Sequence, residues 1–160
     1  MEPMIKEGQP APDFELPDQR DEPVRLSSFR GRRVVLYFYP KASTPGCTTQ
    51  ACGVRDHELE YRAADAVVLG VSPDPVKAIK KFYEKQDLNF ELLADEHHEV
   101  CEAYGVWVEK SMYGKTFWGA KRATFVIDEE GIVRKVIKKV KPDTHDDEVL
   151  AALSDLGAAA

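Results

Sequence analysis

The run Val34-Val35-Leu36-Tyr37-Phe38-Tyr39, followed at once by Pro40-Lys41-Ala42-Ser43-Thr44-Pro45-Gly46-Cys47-Thr48-Thr49-Gln50-Ala51-Cys52, carries the reading of the fold. The first six residues are continuously apolar or aromatic, as expected of a central strand covered on both faces. The Pro- and Gly-containing stretch after them ends that strand and opens a helical segment with Cys47 in its first turn. The leading N–H groups of a helix have no intrahelical partner, and the positive end of the helix dipole lies beside them. Both favour a thiolate over a thiol, and the thiolate is the nucleophile. Cys47 is thus expected to react rather than to pack. Cys52, five residues on, supplies a second thiol for a redox cycle.

Outward from this point, strand and helix patterns alternate. Residues 1–12 are Pro-rich and read as extended, and Phe14–Leu16 and Val24–Leu26 read as a hairpin around the turn residues 17–21. The helix from Cys47 runs to about Ala64 and leads into a second buried run, Val67–Val71. Ser72-Pro73-Asp74-Pro75 caps a helix whose Val76, Ile79, Phe82 and Tyr83 recur at helical spacing. Leu92-Leu93 is a brief extended piece, and Glu96–Tyr104 a short helix stopped by Gly105. Trp107–Ala120 reads as an aromatic, Gly-containing loop. Ala123–Ile127 and Ile132–Val140 read as a hairpin about Asp128-Glu129-Glu130-Gly131, Thr144–Leu156 as a last helix, and residues 157–160 as a fraying end. The order βαβ then ββα predicts an α/β, thioredoxin-like fold: a central mixed β-sheet flanked by helices, with an N-terminal β-hairpin extension. No repeat or linker interrupts it, so residues 1–160 are expected to form a single domain.

Composition narrows the function. A net charge of −6 argues against nucleic acid and against an anionic membrane surface as partners. No apolar run approaches the ~20 residues that span a bilayer, and the first eight residues lack the apolar stretch of a signal peptide. Three cysteines, an odd number, do not suit a secreted disulfide framework. A cytoplasmic location follows as the expectation, where a close cysteine pair is more often catalytic.

The pattern Pro40-x-x-x-Thr44-x-x-Cys47 resembles the peroxide-reducing site of the peroxiredoxins. Residues 37–41 and 44–56 resemble one branch in particular, the peroxiredoxin Q or bacterioferritin comigratory protein group, with further matches at Asp95–Val106, Trp107–Gly114 and Arg122-x-Thr124-Phe125-x-Ile127-Asp128. The similarity extends from about Gly8 to Leu156. It implies Cys47 as peroxidatic cysteine, Cys52 as resolving cysteine on the same helix, Thr44 as the hydroxyl that binds the peroxide, Pro40 as the shield of the thiolate, and Arg122 as the guanidinium beside it. Gln50 stands where Glu is frequent in the family, which leaves a contact from that position to Arg122 open. By resemblance the chain is a thiol peroxidase for hydrogen peroxide and organic hydroperoxides. It would be recycled by thioredoxin through a Cys47–Cys52 disulfide and serve antioxidant defence. Sulfur carries the chemistry, so no metal, flavin or haem cofactor is expected. Resolution within one chain needs no partner subunit, so a monomer is expected. The competing readings are a thioredoxin-type thiol–disulfide oxidoreductase, disfavoured by four residues between the cysteines instead of two, and a non-enzymatic redox switch.

Other residues have plainer readings. Cys101, at helical spacing with Val100 and Tyr104, reads as a buried small hydrophobe. His97 and Cys101, four apart, lack further metal ligands. His57 and His145 read as lying on solvated faces, and Trp107, Tyr113, Phe117 and Trp118 as packing residues. Val133–Lys141 reads as one solvated strand face.

Overall fold

A computed structural model of the protein describes residues 3–157; the expected fraying of 158–160 lies outside the described residues. The chain opens with strands β1 (Glu15–Pro17) and β2 (Pro23–Arg25), an antiparallel hairpin, and a 3-10 turn, Leu26–Phe29. Next come β3 (Arg33–Phe38), helix α1 (Pro45–Asp56), the short α2 (Glu58–Ala63) and β4 (Ala66–Ser72). Then follow α3 (Val76–Lys85), β5 (Glu91–Ala94), α4 (Glu99–Ala103), β6 (Trp107–Met112) and β7 (Lys115–Ala120). Strands β8 (Ala123–Ile127) and β9 (Val133–Ile137) and helix α5 (His145–Asp155) complete the order.

Five strands make the central sheet in the order β5-β4-β3-β8-β9, with β3, β4 and β5 parallel and β8 and β9 antiparallel to their neighbours. The mixed sheet expected from sequence is the observed one. All six residues of β3 are buried, and alternation divides them between two cores. Val35, Tyr37 and Tyr39 pack with Ala51 and Val54 of α1, Ile79 and Phe82 of α3, and Val149 and Leu153 of α5. Leu36 and Phe38 pack on the other face with Leu69, Val71, Val100, Tyr104 and Phe125. Burying each such side chain contributes about 1.5–3 kcal/mol, so a strand apolar on both faces anchors both layers and fixes where its carboxyl end points. The site loop, residues 40–44, leaves from that end.

Two expectations need correction. The helix expected over Cys47–Ala64 is two helices broken at His57, whose backbone (φ −103°, ψ 19°) leaves the helical region. The expected loop over Trp107–Ala120 is a β-hairpin, closed by Tyr113 (φ 54°) and Gly114 (φ 76°) between the paired residues Met112 and Lys115. Two successive positive φ values make the type I′ turn that matches strand twist.

Candidate active site

Thr44 ends the loop in extended conformation (φ −91°, ψ 155°), Pro45 follows at the first helical position, and Cys47 lies two residues further, in the first turn of α1. The first helical hydrogen bond runs from Thr48 N–H to Thr44 C=O at 2.8 Å. Pro45 has no N–H to offer, so the helix-starting N–H groups ahead of Thr48 are those of Gly46 and Cys47. The Cys47 side chain is only 2% exposed.

Arg122, in the short connection between β7 and β8, reaches across to this turn. Its Nη2 donates to Cys47 Sγ at 3.3 Å and its Nη1 to Gln50 Oε1 at 2.7 Å. A Cβ on Gly46 would stand 3.2 Å from that Nη2, so the absence of a side chain there lets the guanidinium close on the sulfur. The contact left open by the sequence is thus made: the neutral Gln50 amide, fully buried, steers one arm of the fork while the other faces the sulfur. A buried anionic sulfur needs such a partner, since burial without a charge-assisted donor is costly.

The other sequence-chosen residues gather around the same turn. Pro40 is half-buried at the head of the loop. Thr44 Oγ1 donates to Lys41 C=O at 2.8 Å and does not cap the helix, which leaves the oxygen's lone pairs for another donor. Cys52 lies on α1 with Cys47, half-buried, its Sγ 3.5 Å from Gln86 Oε1. Cys101 stays apart, fully buried, its thiol pushed far above the ordinary range by burial and by Asp95. His97 is exposed, and among the described residues no cluster of three or more His, Cys, Asp or Glu could hold a metal ion.

Several residues of the site were not singled out from sequence. Asp74 accepts Ala42 N–H at 2.7 Å and Ser72 Oγ–H at 2.8 Å on one oxygen, which ties the site loop to the end of β4. Lys110 of β6 adds a cation near Arg122 and Cys47; burial, then the Arg122 charge, hold its pKa below the usual lysine range, with Cys47 pulling the other way. The solvated face read for His145 is overturned: the ring is 1% exposed, packed on Tyr37 and hydrogen-bonded through Nε2 to Thr124 Oγ1 at 2.8 Å. Its place at the start of α5, over the sheet, explains the difference. His57 is half-buried and turned back on its own helix. Of the four aromatics read as packing, Tyr113 is 96% exposed, and Phe117 and Trp118 are also exposed because one two-stranded ribbon has too little face to cover them. Trp107 alone is half-buried, stacked on His98. No described helix is long and apolar enough to cross a membrane.

Comparison with known proteins gives the arrangement a lineage. Residues 7–136 match the model of the AhpC/TSA family. The chain is 50% identical to Peroxiredoxin Bcp of Escherichia coli over 94% of its own length and 97% of that protein's. Among solved structures, peroxidoxin BcpB of Mycobacterium tuberculosis superposes with a TM-score of 0.86 at 40% identity, covering 96% of this chain and 99% of that one. The Xanthomonas campestris bacterioferritin comigratory protein, described for its alkyl peroxide reduction activity, gives 0.85 at 40% identity, covering 89% and 91%. With motif, sheet order and near full-length identity in agreement, the chain belongs to the AhpC/TSA family and, within it, to the Bcp or peroxiredoxin Q thiol peroxidases.

Proposed function

We propose that Cys47 is the peroxidatic thiol and Cys52 the resolving thiol of a peroxidase acting on hydrogen peroxide and organic hydroperoxides. The Cys47 thiolate attacks the distal peroxide oxygen and the O–O bond breaks. The sulfur keeps one oxygen as a sulfenic acid, and the other leaves, once protonated, as water or alcohol. Negative charge grows on the departing oxygen. The Arg122 guanidinium lies where it can meet that charge, while the Thr44 oxygen, its own hydrogen given to Lys41 C=O, can accept the O–H of the peroxide and hold it in line, and Pro40 limits water at the sulfur. The Cys52 sulfur then displaces hydroxide from the sulfenic acid, releasing water and forming the Cys47–Cys52 disulfide. An external dithiol, for which we infer thioredoxin, returns both sulfurs to thiols.

The observation that carries this reading is the 3.3 Å contact of Arg122 Nη2 with a thiol in the first turn of a helix that also bears Cys52. The alkyl peroxide activity of the Xanthomonas relative supports organic hydroperoxides as substrates. We further infer a cytoplasmic, monomeric protein with residues 1–160 as one domain, acting in antioxidant defence. Three cysteines suit a reducing compartment, and a resolving thiol on the same helix needs no second subunit. Stopped-flow oxidation by hydrogen peroxide and by a bulky organic hydroperoxide, with thioredoxin turnover and mass spectrometry of the product, tests the cycle. Second-order oxidation of Cys47 followed by a Cys47–Cys52 bond is expected; oxidation that never turns over would replace the enzyme with a redox switch.

A further inference from the structure

We propose that His57 and Asp146 are positioning residues for the resolving step, a clasp on the Gly53 turn of α1 that sets how fast Cys52 is released toward oxidised Cys47. The inference rests on the Cys47–Cys52 reading above. An ideal helix separates Cα atoms five residues apart by about 8.6 Å, whereas a disulfide tolerates about 4.4–6.8 Å. Both cysteines lie within α1, so the turn that carries Cys52 must leave the helix before the bond can form.

That turn is held from outside. The Gly53 carbonyl, next in sequence to Cys52, accepts the His57 backbone N–H at 3.1 Å and lies 2.8 Å from His57 Nδ1. A carbonyl can only accept, so Nδ1 carries a hydrogen. Asp146, from α5, places Oδ2 3.6 Å from the same Nδ1. That oxygen would be 2.3 Å from a Cβ on Gly53, so the carboxylate is seated in the space the glycine leaves. Tyr61 of α2 fixes it by donating to Asp146 Oδ1 at 2.5 Å. Three elements thus converge on one peptide beside Cys52. Other ties of this segment run from Cys52 to Gln86 Oε1, from Arg55 Nη1 to Gln86 C=O at 2.7 Å and from Asn89 Nδ2 to Arg55 C=O at 3.1 Å, toward the end of α3 and the chain after it.

The clasp tightens when the ring is a cation, because it then bonds a carbonyl dipole beside a carboxylate. The charged or titratable groups around it are Asp56 on α1, Glu60 and Tyr61 on α2, and Asp146 and Asp147 on α5. The nearest cation on its own helix, Arg55, is engaged by Asp56 and Gln86. The Gly53 hydrogen bond first, then the Asp146 charge, raise the His57 pKa above the usual imidazole value. A raised pKa stabilises the clasped helix fully below about 6.5, and that stabilisation fades as pH climbs through the raised value. Sulfenic acid should therefore persist longer on the acid side of neutrality, where a second peroxide can take it to sulfinic acid while being reduced to water or alcohol.

Rapid mixing with one equivalent of hydrogen peroxide, from pH 6 to 8.5, tests the clasp. Sulfenic acid formation is followed first, as a check that the folded site is intact, and disulfide formation second. Attack by any thiol accelerates with pH, in variant and native chain alike, so the quantity to read is the resolution rate of His57→Gln divided by that of the native chain. Glutamine can still donate to Gly53 but does not titrate. The ratio should be roughly two- to fivefold at pH 6, the size of one partly screened ion pair, and fall to about one at pH 8.5. Asp146→Asn should raise the acid-side rate in the same way; His57→Gln decides alone if that variant does not fold. A ratio that does not change with pH overturns the clasp. A native chain that forms no Cys47–Cys52 bond by mass spectrometry overturns the underlying reading, and the clasp with it.

Discussion

The two arms of one guanidinium divide the work at Cys47: Nη2 meets the sulfur and Nη1 is held by Gln50. If Arg122 stabilises the departing oxygen, Arg122→Met should slow Cys47 oxidation by roughly 10²-fold or more with the fold intact, as on losing a preorganised charge-stabilising donor. Gln50→Met keeps the buried volume and removes only the acceptor, so it should leave the charge present but less well aimed and cost about tenfold. Stopped-flow rates check both, and native kinetics in either variant would release that residue from the mechanism. Cys47→Ser should abolish peroxide consumption and Cys52→Ser should allow a single oxidation, while Cys101→Ser, whose thiol is buried away from the site, should leave turnover as it is. The motif named Arg122 and Cys47 directly. Gln50 was legible only as a departure from a family habit, because what an amide does depends on what a distant segment brings to it. Asp74 gave no signal, since its partner Ala42 contributes only a backbone N–H.

At the scale of elements, the proposed cycle asks α1 to serve two incompatible geometries. The helical form supplies the first-turn N–H groups around Cys47, and the disulfide form cannot stay helical between residues five apart. Amide exchange over residues 46–55 is therefore expected to be faster in the disulfide form than in the reduced one and to recover on reduction. Equal protection in both, with the bond confirmed by mass spectrometry, would mean that the helix need not open. Gly53, whose lack of a side chain eases such a backbone change, also has a packing reason, for Asp146 occupies its side-chain space. The strands of the central sheet were legible because burial on both faces makes them continuous apolar runs. The break at His57 was not, because no Pro or Gly marks it and the ring reaches back to the Gly53 carbonyl. The β6–β7 hairpin was missed because neither of its faces is buried enough to alternate, and Tyr113 takes a turn position where Asn or Asp would be expected.

Across the whole molecule, α5 bears on the site through the sheet. His145, at its first turn, packs on Tyr37 and hydrogen-bonds Thr124, two residues beyond Arg122, so helix and central sheet meet in one buried contact close in sequence to that arginine. Burial first, then the charge of Arg122, lower the His145 pKa to about 4. The native state therefore holds the ring neutral where an unfolded chain would begin to charge it near pH 6.5. Between pH 6.5 and 4 the unfolded state binds the extra proton, so stability falls as pH falls through that window, by about 2 kcal/mol at pH 5 at roughly 1.4 kcal/mol per pH unit. His145→Gln removes this liability while keeping a group able to bond Thr124. Urea unfolding of both proteins at pH 7, 6 and 5 gives the test. Carboxylates titrate alike in the two chains, so their contribution cancels in the difference. The native protein's advantage at pH 7 should shrink by about 2 kcal/mol at pH 5, and a difference that stays constant would mean that the buried ring takes up its proton as readily as in the unfolded chain.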